Sequence, residues 1–154
     1  MGVSGSGKSS IGQMLAAALA VPFIDADDHH PESNIQKMSS GIPLDDVDRW
    51  PWLATINQLA KDTTDSGCVI ACSALKEVYR LRLMDSIEPK VCWVFLKGTF
   101  EQILDRMNNR KDHFMGANML RSQFETLEEP DTVLTIDITD SPAVIVQKIK
   151  SHLE

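Results

Sequence analysis

Two kinds of segment alternate along this chain. Continuous apolar runs, which are typical of buried strands, lie at 22–25, 68–72, 91–96 and 133–138. Apolar residues recur at helical spacing at 8–20, 31–39, 45–65, 74–86, 100–109, 117–127 and 142–153. Strands that are apolar on both faces and alternate with helices predict a parallel sheet with helices on both sides. We therefore expect an α/β fold formed by residues 1–154 as one domain.

Two polar segments interrupt this alternation, at about 27–50 and about 106–120. Inserts that are rich in polar and charged groups often hold a substrate or close over it. We expect the first insert to bind substrate and the second to act as a lid.

Charge and composition exclude some classes of binding partner. The formal net charge of −7 argues against a nucleic-acid binder, which needs a basic face. No apolar run approaches the length that spans a membrane, and no signal peptide is visible. The odd count of three cysteines, set in strand-like surroundings, suggests reduced thiols. The sequence therefore predicts a cytoplasmic protein without a nucleic-acid or membrane partner.

The most specific motif lies at the start of the chain, where GVSGSGKS fits the phosphate-loop pattern G-x-x-x-x-G-K-[ST]. Glycines let backbone N–H groups point at phosphate oxygens, and the following helix aims its positive end at the same anion. The lysine would bind the outer phosphates and Ser9 would offer its hydroxyl to Mg²⁺. A flexible Gly/Ser-rich terminus could match by chance, but helical spacing follows directly. The predicted nucleotide-binding residues are Gly2, Val3, Ser4, Gly5, Ser6, Gly7, Lys8, Ser9 and Ser10.

The residues before this loop are unusual, because a phosphate loop normally follows a buried central strand. Only Met1 precedes Gly2 here. We expect either a truncated chain or an internal methionine taken as the start. Burial of an apolar side chain is worth roughly 1.5–3 kcal/mol, and a whole domain is stable by only about 5–15 kcal/mol. Absence of the first strand therefore predicts low stability and a tendency to aggregate.

A pair of carboxylates lies at the end of the predicted strand at 22–25. Asp25 is the last residue of this run and Asp27 follows two residues later, and ligands of open parallel sheets bind at the carboxyl ends of strands. Asp25 could orient Mg²⁺ through water, and Asp27 could accept a proton from a substrate hydroxyl. The alternative is a solvated acidic turn. For His30 the sequence favours a structural or substrate-contact role.

Three groups of cations are candidates for binding anions. Arg49 offers a planar fork that suits a carboxylate, although a surface ion pair is an equal alternative. Lys76 and Arg80 lie four residues apart after the run at 68–72 and would suit an anionic substrate. Arg106 and Arg110 could close over phosphates as part of the lid, where cations stabilise phosphoryl transfer, unless they form a solvated helix face.

These blocks together resemble gluconate kinases, which belong with shikimate and adenylate kinases among the small phosphate-loop kinases. The matching blocks cover nearly the whole chain in order: GVSGSGKS, DADDHHP, KMSSGIPLDDVDRWPWL, CSALKEVYR, LKGTF and RKDHFM…QFETLEEP. CSALK and QFETLE are particularly characteristic. Shikimate kinases share the phosphate loop and paired aspartates, but carry a Gly-Gly-Gly segment that this chain lacks.

The resemblance implies a nucleoside-monophosphate-kinase-like fold and phosphorylation of D-gluconate at its 6-hydroxyl, with ATP and Mg²⁺. It places Asp27 nearest the accepting hydroxyl and gives the carboxylate to Arg49, with Arg80 as a second candidate. Members are often homodimers. The alternatives are a kinase of another small hydroxy acid, such as shikimate, or a truncated nucleotide-binding protein without turnover.

Overall fold

A computed structural model describes residues 1–109 and 117–154. Within these ranges the strands are β1 (Phe23–Asp25), β2 (Val69–Ala71), β3 (Val94–Lys97) and β4 (Leu134–Asp137). The α-helices are α1 (Lys8–Leu19), α2 (Glu32–Ser39), α3 (Asp46–Asp62), α4 (Glu77–Met84), α5 (Phe100–Asn108), α6 (Ala117–Thr126) and α7 (Pro142–Leu153). Two short 3₁₀ helices complete the description, at Ala26–His29 and Glu88–Lys90. The predicted alternation of strands and helices is confirmed.

The strands are parallel, as predicted, but they form two pairs. β1 pairs with β2 and β3 pairs with β4. The first two residues of the chain lie between the pairs: the Gly2 amide donates to the Ser73 carbonyl at 3.2 Å, and the Leu96 amide donates to the Met1 carbonyl at 3.0 Å. The carboxyl ends of the strands and the phosphate loop are therefore tied together by backbone hydrogen bonds.

The start of α4 differs from the sequence prediction, which began this helix at residue 74. Ala74 has a φ of 45°, which is left-handed and cannot continue a right-handed helix. The helix begins instead at Glu77, whose amide donates to the Glu128 carboxylate at 2.6 Å. A side chain from beyond α6 therefore satisfies this helix end, which local sequence rules do not foresee.

Apolar side chains form two clusters, one on each side of the strands. The first joins α1, α5, α6 and α7 to β3 and β4, with Ile103, Leu120 and Ile138 fully buried. The second joins α3 and α4 and includes Trp52 and Tyr79, each 2% exposed. No helix in the described ranges is long and apolar enough to cross a membrane.

Candidate active site

The phosphate loop has backbone angles that require glycine. Gly2, Gly5 and Gly7 have φ values of 144°, 80° and 99°, where L side chains are strained. A Cβ at Gly2 would also lie 2.8 Å from the Leu96 carbonyl oxygen. The glycines at these positions therefore follow from the path of the loop between β3 and α1.

The helix after the loop leaves its first amides to an incoming anion. The first N–H groups of an α-helix lack intrahelical acceptors, and no side chain caps α1 at Gly7. Lys8 is its first residue, and its Nζ donates to the Val3 carbonyl at 3.0 Å. Burial lowers the pKa of Lys8, while the nearby carboxylates of Asp27 and Asp25 act in the opposite direction. This arrangement of donors suits phosphate oxygens.

The predicted magnesium residues are in direct contact. The Ser9 hydroxyl donates to Asp25 Oδ2 at 2.5 Å, which joins α1 to the end of β1. Asp25 Oδ1 accepts the Asp27 amide at 3.2 Å and so caps the 3₁₀ helix that carries Asp27. The Asp27 side chain is 71% exposed. Hard oxygen donors at this spacing fit a Mg²⁺ ion that keeps most of its water shell.

His30 lies beside Asp27 and accepts a hydrogen bond from Asn34. Its Nε2 is 4.0 Å from Asp27 Oδ1. The buried Asn34 amide donates to His30 Nδ1 at 3.3 Å and to the Asp48 carbonyl at 2.9 Å. Because Nδ1 accepts a hydrogen bond, the neutral ring carries its proton on Nε2, toward Asp27. Burial is the main cause that lowers the pKa of His30, which keeps the ring neutral.

Arg49 and Lys76 meet at the ring of Tyr79. The guanidinium of Arg49 and the ammonium of Lys76 each lie 5.4 Å from the ring centroid. Arg49 Nη1 donates to the Leu44 carbonyl at 2.5 Å and to the Tyr79 hydroxyl at 3.3 Å. Lys76 Nζ donates to Asp46 at 2.8 Å. The structure therefore brings two of the predicted cations together, around residues that the sequence analysis did not single out.

Arg80 is directed away from this group. Its side chain is buried, and Nη1 donates to the carbonyls of Ala74 and Leu75 at 3.0 and 3.3 Å. Burial is the main cause that lowers the pKa of Arg80. A buried loop leaves carbonyl groups that need donors, and Arg80 supplies them. We therefore leave Arg80 out of the proposed carboxylate site.

The predicted lid is described only at its two ends. Arg106 on α5 donates through Nη2 to the Ile138 carbonyl. Arg110 lies outside the described residues. Gln123 on α6, within QFETLE, accepts the Ser4 amide at 2.6 Å through its side-chain oxygen. The sequence analysis gave Gln123 no role of its own, although it noted the QFETLE block.

Comparison with known proteins agrees with this geometry. A sequence model of the shikimate kinase family matches residues 4–154. The thermoresistant gluconokinase of Escherichia coli (strain K12) is 46% identical over 148 residues, which cover 92% of this chain and 83% of that enzyme. The thermosensitive gluconokinase of the same strain is 43% identical, with 97% and 83% covered. A solved gluconokinase structure from Sinorhizobium meliloti 1021 superposes with a TM-score of 0.87 at 45% identity, over 96% of this chain and 85% of that one.

Proposed function

Because the chain belongs to the shikimate kinase family and, within it, to the gluconokinases, we propose that it transfers a phosphoryl group from ATP to the 6-hydroxyl of D-gluconate. The product is 6-phospho-D-gluconate. The observation that supports this most directly is the contact between Ser9 and Asp25, with Asp27 two residues further on. It joins the phosphate loop to the acidic end of β1, so that a nucleotide and an alcohol would meet there.

The nucleotide would bind at the loop and the first turn of α1. The loop from Gly2 to Ser10 would surround the phosphates, and Lys8 would move from the Val3 carbonyl to an outer phosphate oxygen. Ser9 and Asp25 would hold Mg²⁺, Ser9 directly and Asp25 through its water shell. When bound, Mg²⁺ neutralises phosphate charge and orients the transferred group.

The acceptor would lie on the other side of Asp27. This carboxylate would orient the 6-hydroxyl of gluconate and take its proton as the new oxygen–phosphorus bond forms. Arg49 would bind the gluconate carboxylate through its planar fork. With both ends of the substrate held, most of the catalysis would come from positioning and charge stabilisation.

The basic end of α5 would complete the site. We propose that Arg106 leaves the Ile138 carbonyl, and acts with Arg110, to neutralise charge on the transferred phosphoryl group. The segment at about 106–120 would then be the lid of the enzyme, and the insert at about 27–50 its acceptor-binding part.

Two other functions remain as alternatives. The matching family model is that of the shikimate kinases, so another small hydroxy acid, such as shikimate, is the second candidate substrate. A nucleotide-binding protein without turnover is the third. A coupled assay of ADP release with gluconate, shikimate and a neutral sugar separates them. Preference for gluconate supports the proposal, preference for shikimate or the neutral sugar refutes the substrate, and no release with any acceptor favours the third alternative.

The cellular compartment and the oligomeric state are predictions. We propose a cytoplasmic enzyme that forms a homodimer, as gluconate kinases often do. Sedimentation of the purified protein tests the homodimer, and fractionation of the cells that contain it tests the compartment.

A further inference from the structure

Four polar side chains form one directed chain of hydrogen bonds between α3 and α4. Lys76 donates to Asp46 Oδ1 at 2.8 Å, and the Tyr79 hydroxyl donates to the same oxygen. Arg49 in turn donates to the Tyr79 hydroxyl at 3.3 Å. The direction is fixed, because a guanidinium can only donate and a carboxylate can only accept.

The Tyr79 hydroxyl separates two charges that would otherwise pair. Asp46 and Arg49 are three residues apart on α3, a spacing at which opposite charges attract. Asp46 is instead occupied by Lys76 and by Tyr79, and these two bonds are the main causes that lower its pKa. In the described part of the chain, none of the ion pairs includes Arg49.

Among the described residues, the contacts of Arg49 leave one edge of its guanidinium available. Its bonds to the Leu44 carbonyl and to Tyr79 both start from Nη1, and its carbon lies over the Tyr79 ring. Nη2 and Nε can then face an incoming carboxylate as a two-pronged donor. The Tyr79 ring is itself fixed, because it is 2% exposed and Trp50 packs edge-on against it at 5.9 Å.

Three charged groups surround the Tyr79 hydroxyl: Asp46 and Arg49 from α3, and Lys76 from the residue before α4. Burial and the hydrogen bond to Asp46 raise the pKa of Tyr79, whereas the two cations act in the opposite direction. Tyr79 therefore remains a donor to Asp46 at neutral pH.

We propose that Tyr79 is a positioning residue for the acceptor. It holds Arg49 and keeps Asp46 from forming an ion pair with it, so that Arg49 can bind the substrate's carboxylate. This inference rests on the proposed role of Arg49. It adds Tyr79, a residue of α4, to the acceptor site. It also gives Asp46 and Lys76 a role in holding Tyr79 and not in contacting the substrate.

Steady-state kinetics of Tyr79→Phe test this role. The ring remains, but the hydroxyl is lost and Asp46 is released toward Arg49. We expect the KM for gluconate to rise about ten-fold, the size of one hydrogen bond to a charged group, while the KM for ATP is unchanged. Val78→Ala, at an exposed neighbour on the same helix, is the matched control and should leave both constants as they are.

A second substitution distinguishes positioning from a structural effect. In the double variant Tyr79→Phe with Asp46→Asn, the competing carboxylate is gone, and the KM for gluconate should fall back toward the wild-type value. A gluconate KM that is unchanged in Tyr79→Phe, or that Asp46→Asn does not restore, overturns the inference. If Arg49→Lys also leaves the KM for gluconate unchanged, the proposed role of Arg49 in binding the carboxylate is wrong. If only Tyr79→Phe leaves this KM unchanged, the role of Arg49 stands and only the role of Tyr79 is wrong.

The wild-type protein offers a measurement that does not depend on the folding of a variant. Tyr79 is the only tyrosine of the chain. Labelling tyrosine with ¹³C at the hydroxyl-bearing carbon therefore gives one NMR signal from this site. Gluconate should shift this signal at neutral pH, and ATP alone should shift it less. No shift at saturating gluconate overturns the inference.

Discussion

The imidazole of His30 lies flat against the indole of Trp52, with ring centroids 4.1 Å apart and planes inclined by 16°. Trp52 also donates from Nε1 to the Ala26 carbonyl at 2.7 Å. A single buried side chain of α3 thus supports both ends of the 3₁₀ helix Ala26–His29, in which Asp27 lies. The position of the proposed base is set by the core and not by the exposed turn alone.

Loss of the His30 ring should therefore impair turnover. We expect His30→Ala to lower kcat by about ten-fold or more, since a misplacement of 1 Å at a reacting group can cost about 10²-fold. His29→Ala is the matched control, because His29 lies one residue earlier and is exposed. Equal kcat values for the two variants, both folded by circular dichroism, would contradict this account of Asp27.

Trp52→Phe tests the same support through stability. Phenylalanine keeps an aromatic face for His30 but leaves the Ala26 carbonyl without its donor. An unsatisfied buried acceptor costs about 1–3 kcal/mol, so the free energy of unfolding in urea should fall by that amount. Trp50→Phe, at a partly buried tryptophan two residues earlier, should cost less. A free energy of unfolding that is unchanged in Trp52→Phe would show that this hydrogen bond contributes little.

The phosphate-loop lysine should dominate the chemical step. Lys8→Ala removes a preorganised positive charge from the transferred phosphoryl group, and we expect turnover to fall by roughly 10²-fold or more. Lys90→Ala, which removes an exposed lysine ion-paired with Asp65, is the control. Near-normal turnover in a folded Lys8→Ala protein would refute the nucleotide site.

Arg49→Lys should weaken gluconate binding, because an ammonium cannot reproduce a two-pronged donor. The expected result is a higher KM for gluconate with the KM for ATP unchanged. Arg82→Lys, at an exposed arginine of α4, serves as the control. If neither the gluconate KM nor turnover changes, the carboxylate must be bound elsewhere.

The sequence predicted the helices and strands well, because their apolar spacing is a local property. α7 has the predicted bounds, and α1 ends within one residue of its prediction. The contacts of the site were harder to predict. The hydroxyl of Tyr79 and the carboxylate of Asp46 are 33 residues apart and meet only when α3 packs on α4. Arg80 points inward because α4 begins late and leaves loop carbonyls to satisfy, which no periodicity reveals.

The most unusual feature of the fold is an apolar cavity of about 330 Å³ between β2 and β3. Each of these strands pairs with another strand on one edge only, and residues of both strands line the cavity. Met1 occupies one end of it, where its amino group donates to the Val94 carbonyl at 2.5 Å. We therefore expect one more parallel strand, ahead of Met1, to fit into this cavity between β2 and β3.

In a chain that begins at Met1, the buried amino group of this residue makes a pH-dependent contribution to stability. Burial is the main cause that lowers its pKa from 8.0 to about 5. The unfolded chain binds the proton more tightly, so the contribution of this group to stability is fully present above pH 8 and is lost as the pH falls toward 5. A pKa difference of one between the folded and the unfolded chain is worth about 1.4 kcal/mol, which makes the expected loss of stability roughly 4 kcal/mol.

Chains extended ahead of Met1 test both features at once. About six to eight mainly β-branched residues, a usual strand length, should fill the cavity, raise the melting temperature and increase gluconate kinase activity. Because the amine becomes an amide, the loss of stability between pH 8 and pH 5 should disappear as well. A Gly/Ser extension of equal length is the control: it removes the amine but buries no apolar surface, so it should abolish the pH dependence without raising the melting temperature at pH 8. If the two extended chains and the chain beginning at Met1 have the same melting temperature and the same activity, an apolar strand adds nothing at the cavity. The sheet then does not need this strand.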